Sequence, residues 1–242
     1  MFKRVIDKIL REKGYEINRI QTIDVKIESG KFKWLQEFGI KTVLDVGANV
    51  GLFTEMVSKI LPQASIYAFE PLTECYEKLN KLTDQIKKLK CFNVALGSEN
   101  MIAVINKNMF TASSSLLKMR SLHKETFPYT AIESEEKIQV VTFESLINEI
   151  QLTGKVLLKL DVQGYEIEVL RGMKSVLNNI DLIIAETSFV ELYQGQPLFN
   201  EVYDFLRNKG FEYYGNFDQM TDPKAGRVLQ ADAIFAKKDI KL

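Results

Sequence analysis

Residues 41–71 read KTVLDVGANVGLFTEMVSKILPQASIYAFEP, and this stretch decides the fold class. The short apolar run 42–46 predicts a β-strand, and apolar residues at helical spacing over 51–61 predict a helix that ends before Pro62. A second apolar run, Ser65–Phe69, predicts the next strand. Strand, helix and strand in this order are typical of parallel strands joined by crossover helices, which is an α/β fold.

The same alternation continues along the chain. We predict helices over 73–84, 143–150, 166–178 and 197–209, and strands over 90–94, 101–105, 138–141, 156–160, 182–186, 211–216 and 231–236. Residues 106–137 have little periodicity and are expected to form one long loop, which in a compact domain usually serves function. We therefore predict one domain over 41–242, preceded by a helical extension over 1–40 that begins with an amphipathic segment.

Composition excludes several classes of protein. The 242 residues carry 32 Lys and Arg against 32 Asp and Glu, so no basic surplus predicts a nucleic-acid partner. No apolar run is long enough to cross a bilayer, and we expect no integral membrane association. The cysteines Cys75 and Cys91 are not closely spaced, which predicts free thiols and a cytoplasmic location. Because His123 is also the sole histidine, we expect no metal site.

The segment 45–51, DVGANVG, has the composition of a ligand-binding loop. Gly47 and Gly51 lie between a predicted strand and helix, where the lack of a Cβ allows the backbone to approach a ligand. The predicted cofactor contacts in this loop are Asp45, Gly47, Ala48, Asn49 and Gly51. Position 53 is Phe, so the three-glycine pattern of dinucleotide sites is not met.

An acid follows at the end of the second predicted strand. Glu70, next to Pro71, lies at the distance from the glycine loop at which a carboxylate reaches a ribose diol. Together with Asp45, which suits a ligand ammonium group, this favours S-adenosylmethionine over a dinucleotide. A nicotinamide-dependent oxidoreductase and a non-catalytic cofactor-binding partner protein are the alternatives.

A second polar group follows the predicted strand 156–160. Asp161 lies at the carboxyl edge of the sheet, where open α/β sheets bind ligands, and Lys159 shares its face of the strand. Glu166 opens the next predicted helix, where the helix dipole favours a carboxylate, and Glu186 ends the following strand. We predict that these acids face a substrate and that Asp161 also borders the cofactor.

Methyl transfer to a hydroxyl requires orientation and often a base that accepts the hydroxyl proton. Asp161 is the first candidate base, His123 is the second because its ordinary pKa lies near neutrality, and Lys159 completes the predicted catalytic set. The tract 111–117, TASSSLL, is either a flexible hinge or a source of hydroxyl donors to a polar acceptor. The corresponding predicted substrate contacts are Ser113, Ser114 and Ser115.

Six stretches of the chain resemble the FkbM family of S-adenosylmethionine-dependent methyltransferases. They are LDVGANVGLFT (44–54), FEPL (69–72), NVALG (93–97), TASSSLL (111–117), KLDVQGYEIEVLRGM (159–173) and FVELYQGQPLFNEVYDFL (189–206). The resemblance runs from about residue 41 to the C-terminus, and the order and spacing of the stretches also agree.

The resemblance implies a class I methyltransferase fold, which is Rossmann-like, with a mostly parallel seven-stranded sheet and helices on both faces. It also implies O-methylation of a sugar or natural-product hydroxyl, with a small-molecule or saccharide acceptor. It adds Asn93 and Ala95 to the cofactor contacts. Many relatives carry Glu where this chain has Gln163, so we do not expect position 163 to act as a base or metal ligand.

Overall fold

The computed structural model describes residues 33–108, 111–121, 133–222 and 225–238. Residues 1–32 of the predicted extension lie outside the described residues, and so does the candidate base His123. Within the described part of the predicted extension, residues 33–36 form a short 3-10 helix, Lys33–Gln36. Among the described residues, no helix is both long enough and apolar enough to cross a membrane.

A seven-stranded sheet forms the centre of the molecule, with the strand order β3-β2-β1-β7-β8-β10-β9. Its strands are β1 (Ile40–Val46), β2 (Ser65–Phe69), β3 (Leu89–Phe92), β7 (Lys155–Leu160), β8 (Leu182–Ser188), β9 (Phe211–Thr221) and β10 (Val228–Lys237). The pairs among β3, β2, β1, β7 and β8 are all parallel, whereas β10 is antiparallel to both of its neighbours. The predicted mostly parallel α/β sheet is confirmed.

Helices cover both faces of this sheet. They are α1 (Leu52–Ile60), α2 (Thr73–Asn80), α3 (Glu166–Gly172) and α4 (Phe199–Arg207). Side chains alternate along each strand, so Val43 packs with α1 on one face while Leu44 packs with α3 and α4 on the other. Because both faces are buried, the central strands read as continuous apolar runs, which is why their positions could be predicted.

A second, three-stranded sheet corrects the prediction of one long loop over 106–137. It has the order β4-β6-β5, with β4 (Ala95–Leu96), β5 (Met101–Asn108) and β6 (Glu133–Val141). The antiparallel pairing of β5 with β6 extends to Asn108 opposite Glu133, so both ends of the expected loop are strand. These ends carry polar and charged residues, which conceal the strand pattern that the apolar residues 101–105 and 138–141 reveal.

Three predicted helices differ from the structure in type or length. The helix predicted over 73–84 is an α-helix only to Asn80 and continues as the 3-10 helix Lys81–Asp84. The segment Phe143–Glu149 is a 3-10 helix, and α3 ends at Gly172 instead of continuing to residue 178. A Cβ at Gly172 would lie 1.8 Å from the carbonyl oxygen of Gly97, so the glycine allows the end of α3 to pack closely against the loop after β4.

Cys75 and Cys91 are free thiols, as predicted.

Candidate functional site

The candidate site lies at the carboxyl ends of β1, β2 and β7. The chain proceeds from β1 outwards to β2 and β3, and it later returns to place β7 on the opposite side of β1. In open α/β sheets this change of direction opens a crevice at the strand ends, which is where ligands bind.

The loop between β1 and α1 is anchored by β2. The backbone N–H groups of Gly47 and Ala48 both donate to the carbonyl oxygen of Phe69, at 3.0 Å each. Gly47 has φ 83° and Gly51 has φ 90°, in the left-handed region that favours glycine. Asn49 also has a positive φ of 50°, and its side-chain oxygen accepts from the N–H of Val50 at 2.7 Å.

Both glycines of the loop face protein neighbours, and Gly47 also lines the pocket. A Cβ at Gly47 would lie 1.9 Å from the carbonyl oxygen of Asp161, and one at Gly51 would lie 2.5 Å from the Leu82 side chain. The missing side chains therefore allow the loop to pack against the strand end of β7 and against the segment after α2. This is a different reason for the glycines from the close approach of a ligand that the sequence suggested.

Asp45 is buried and faces α1. It is 1% exposed, and its carboxylate accepts a hydrogen bond from the Thr54 hydroxyl at 2.5 Å. Burial raises the pKa of Asp45 to about 6, against the lowering effects of the Thr54 hydrogen bond and the Lys159 charge. The side chain stabilises the start of α1, and a direct contact with a ligand ammonium group stays a prediction.

Glu70 holds the two loops that flank the crevice. One carboxylate oxygen accepts from the N–H of Asn49 and the other from the N–H of Leu72, each at 2.8 Å. Asn93 donates its amide to the carbonyl oxygens of Glu70 and Pro71, at 2.9 and 3.0 Å. Burial raises the pKa of Glu70 to about 7, although both backbone hydrogen bonds lower it.

A pocket opens beside Glu70, with an empty volume of about 670 Å³ that includes space open to solvent. Eight residues predicted from the sequence line it: Gly47, Asn49, Glu70, Pro71, Ala95, Ser114, Ser115 and Asp161. Apolar side chains form much of the remaining wall, among them Val94, Leu96, Ile105, Leu116 and Tyr165.

Residues 111–117, here called the strap, lie along one side of this pocket. The Thr111 hydroxyl donates to the Asn49 side-chain oxygen at 3.2 Å. The Ser114 hydroxyl accepts from the N–H of Asn108 at 2.9 Å, and the Ser115 hydroxyl donates to the carbonyl oxygen of Gln163 at 2.7 Å. These hydroxyls fix the strap to its neighbours, and their contact with an acceptor stays a prediction.

A polar cluster, here called the rim, continues the site towards β8 and β10. Its members are Lys159, Asp161, Gln163, Glu186, Gln230 and Asp232. The buried Lys159 ammonium lies 3.1 Å from the Asp161 carboxylate and 3.7 Å from that of Asp232. Burial opposes the charge of Lys159, but these carboxylates outweigh it and raise the pKa of Lys159 above its ordinary value.

The charged Lys159 is therefore a counter-ion for the acids, and a catalytic part for it stays a prediction. The Asp161 side chain is 39% exposed, so it combines contact with Lys159 and access from the pocket.

Residues 45–213 match the model of the methyltransferase FkbM domain. The chain belongs to the FkbM methyltransferase family. It is 25% identical over 193 residues to methyltransferase sdnD of Sordaria araneosa, covering 70% of this chain and 73% of the relative. It is 23% identical over 181 residues to the 2-O-methyltransferase NoeI of Sinorhizobium fredii, covering 72% of this chain and 74% of the relative.

A solved structure of an FkbM methyltransferase from Methylobacillus flagellatus shares the fold. The TM-score is 0.50 at 10% sequence identity, and the likeness covers 81% of this chain but 43% of that chain. This FkbM-family chain thus spans less than half of that solved protein. The predicted class I methyltransferase fold and the predicted family are both confirmed.

The remaining predicted residues of this FkbM methyltransferase lie around the pocket without lining it. Glu166 accepts from the N–H of Gly164 at 3.1 Å, and burial raises its pKa to about 7. Glu186 accepts from the side-chain amides of Gln163 and Gln230, and burial followed by the Asp161 charge raises its pKa well above the ordinary range. Both acids support the loop after β7, and their contact with a substrate stays a prediction.

Four functional candidates of the FkbM-family chain were not predicted. Gln163, Gln230 and Asp232 belong to the rim, and the Tyr193 hydroxyl donates to the side-chain oxygen of Gln163 at 2.8 Å and lies 3.0 Å from the carbonyl oxygen of Ser113. Asp232 lies on β10 directly opposite Glu186 on β8. The sequence signal for Asp232 was an acid within a predicted strand that is otherwise apolar, because an internal strand rarely buries an acid without a partner.

Among the described residues, no group of three or more His, Cys, Asp or Glu side chains is arranged to hold a metal ion.

Proposed function

We propose that this protein is an S-adenosylmethionine-dependent O-methyltransferase that acts on a hydroxyl of a saccharide or natural-product acceptor. The single observation that carries the proposal is the pocket between Glu70 and Asp161, which has an acid at each side and an apolar wall. The FkbM family and the class I fold support methyl transfer. The relative NoeI is a 2-O-methyltransferase, which supports oxygen as the acceptor atom.

The residues present fit S-adenosylmethionine. The buried Glu70 carboxylate uses one lone pair of each oxygen on backbone N–H groups, and its remaining lone pairs suit the two hydroxyls of a ribose. Val94, Leu96 and Ile105 provide an apolar surface for a flat base. The loop 47–51 borders the other part of the pocket, and we assign it to the methionine portion.

S-adenosylmethionine, when bound, supplies a methyl group on a positively charged sulfur. Asp161 then has two tasks, which are to orient the acceptor hydroxyl and to accept its proton as the methyl group is transferred. The Lys159 ammonium, 3.1 Å from the Asp161 carboxylate, holds this carboxylate in place beside the pocket. The amides and acids of the rim offer several donors and acceptors, which suits an acceptor rich in hydroxyl groups.

The test is an acceptor screen with methyl-labelled S-adenosylmethionine and a panel of nucleotide sugars, glycans and hydroxylated natural products. We expect label on an oxygen of at least one saccharide or natural product. Label only on nitrogen or carbon acceptors would contradict O-methylation. Binding of the cofactor with no transfer to any panel member would favour the non-catalytic alternative, and NADH binding would favour the oxidoreductase.

A further inference from the structure

Gln163 is the residue at which the rim and the strap meet. Its side chain is buried, and its backbone has φ 52° although it is not glycine. The amide nitrogen donates to Asp161 at 2.9 Å and to Glu186 at 2.5 Å. The amide oxygen accepts from the Tyr193 hydroxyl at 2.8 Å. All the hydrogen-bonding groups of one carboxamide are therefore used within the site.

These three contacts select a neutral amide. Its two N–H hydrogens match the two carboxylates, and its carbonyl oxygen matches the phenol. A carboxylate at position 163 would instead place a negative charge between two acids, Asp161 and Glu186, and would have no hydrogen to donate to either. The charges of Glu166 and Asp232 also act on Glu186, and the Lys159 ammonium lies within contact distance of Asp161 and Asp232.

Gln163 also supports the strap through two connections. Its backbone carbonyl accepts from the Ser115 hydroxyl at 2.7 Å. The Tyr193 hydroxyl, which contacts its side chain, also lies 3.0 Å from the carbonyl oxygen of Ser113. Gln163 itself lines the pocket beside Thr111, Ser114, Ser115 and Leu116 of the strap, so a displacement of Gln163 also moves the pocket wall that the strap forms.

We propose that Gln163 is a positioning residue that holds the strap against the cofactor pocket and fixes Asp161 at the rim. Cofactor affinity is therefore coupled to the charge at position 163, although that side chain hydrogen-bonds only to the rim and to Tyr193. The inference rests on the proposed function for the identity of the ligand, S-adenosylmethionine or its product.

The experiment measures adenosylhomocysteine binding by calorimetry for wild type, Gln163→Glu and the exposed control Gln85→Glu, from about pH 6 to about pH 8.5. At the upper pH we expect Gln163→Glu to bind about tenfold more weakly than wild type, because a hydrogen bond to a charged group is lost. As the pH falls, the ratio of the two dissociation constants approaches one, since a protonated Glu is neutral and donates one hydrogen bond. A ratio equal to that of the control at every pH would overturn the inference.

Tyr193→Phe provides a second measurement that does not depend on whether Gln163→Glu folds. Removal of the hydroxyl breaks the contacts to Ser113 and Gln163 without adding a charge, so we expect several-fold weaker binding with a ratio that is constant with pH. Unchanged binding by Tyr193→Phe would contradict the connection to the strap. Failure of the wild type to bind adenosylhomocysteine would instead contradict the proposed function, which keeps the two failures distinguishable.

Discussion

At the scale of single residues, the site depends on buried acids whose pKa values are raised to near neutrality. Glu70 and Glu166 both have their pKa raised to about 7, with burial as the largest cause. Each carboxylate accepts hydrogen bonds from backbone N–H groups, which stabilise the ionised form and partly offset the cost of burial. These acids therefore change charge within the pH range of ordinary biochemical assays.

Glu70 should make cofactor binding depend on pH. The ionised carboxylate is the better acceptor for ribose hydroxyls, so binding favours loss of the proton. We expect the affinity for adenosylhomocysteine to rise with pH up to about 7, the raised pKa of Glu70. Glu70→Gln should bind more weakly and lose most of this pH dependence, as measured by calorimetry. The exposed control Glu77→Gln should keep the wild-type profile, and an unchanged profile in Glu70→Gln would contradict the role.

Asp161 should affect turnover more than cofactor binding. A positioned general base contributes about two to four orders of magnitude to a rate, and Asp161→Asn keeps the shape of the side chain but not its basicity. We therefore expect kcat for an acceptor found in the screen to fall by about a hundredfold or more, while adenosylhomocysteine affinity changes less than about tenfold. The exposed Asp84→Asn is the matched control. A kcat close to wild type in Asp161→Asn would exclude it as the base.

At the scale of secondary-structure elements, the glycine loop positions β1, α1 and β7 against one another. Gly47 combines a positive φ with a close approach to the carbonyl oxygen of Asp161. Gly210 has a similar φ of 87°, but no atom lies within 4 Å of the place where its Cβ would stand. A comparison of alanine substitutions at these two glycines therefore separates the cost of the backbone conformation from the cost of the steric clash.

Gly47→Ala should be markedly more destabilising than Gly210→Ala. Both substitutions impose a left-handed conformation on alanine, which costs about 1–2 kcal/mol. Only Gly47→Ala also forces a Cβ into a backbone oxygen at 1.9 Å. We expect the free energy of unfolding to be lower in Gly47→Ala by roughly a further 2 kcal/mol, a typical cost of overpacking. Equal losses in denaturant titrations of the two variants would contradict the packing role of Gly47.

Secondary structure was most predictable where a segment is buried on both faces. The bounds of β2 agree with the prediction, because its apolar run is followed at once by Glu70 and Pro71. The polar ends of β5 and β6 were missed, because Asn106 pairs with Glu135, 29 positions away, and no local sequence pattern indicates such a pairing. Gln163 was not expected to act as a base or metal ligand, because it carries no charge. Its hydrogen-bond partners Glu186 and Tyr193 are 23 and 30 positions away in the sequence, so no local pattern indicates these contacts.

At the scale of the whole molecule, the sheet order brings together acids from distant parts of the chain. Glu70 follows β2, Asp161 follows β7, and Asp232 lies on β10. The position of Glu70 and Asp161 at strand ends could be predicted, since parallel strands place their carboxyl ends at one edge. The partnership of Asp232 with Lys159 could not, because it depends on β10 entering the sheet antiparallel beside β8.

Buried acids should also make the stability of the whole protein depend on pH. An acid with a raised pKa keeps its proton in the folded state while the unfolded chain has lost it, so stability falls as the pH rises between the two values. For Glu166 this range runs from its ordinary value of 4.5 to about 7. Glu166→Gln should make the decline in the free energy of unfolding over this range shallower. The exposed control Glu77→Gln should retain the wild-type decline, and an equally steep decline in Glu166→Gln would contradict the burial argument.

The measurement that tests the central claim most directly is calorimetric titration of the purified wild-type protein with adenosylhomocysteine, followed by titration with NADH. A pocket with Glu70 at one side and the strap at the other predicts saturable binding of adenosylhomocysteine at one site per chain. It also predicts no binding of NADH at the same concentrations. Failure to bind adenosylhomocysteine at millimolar concentration, or preferential binding of NADH, would contradict the assignment of this pocket to a methyl donor.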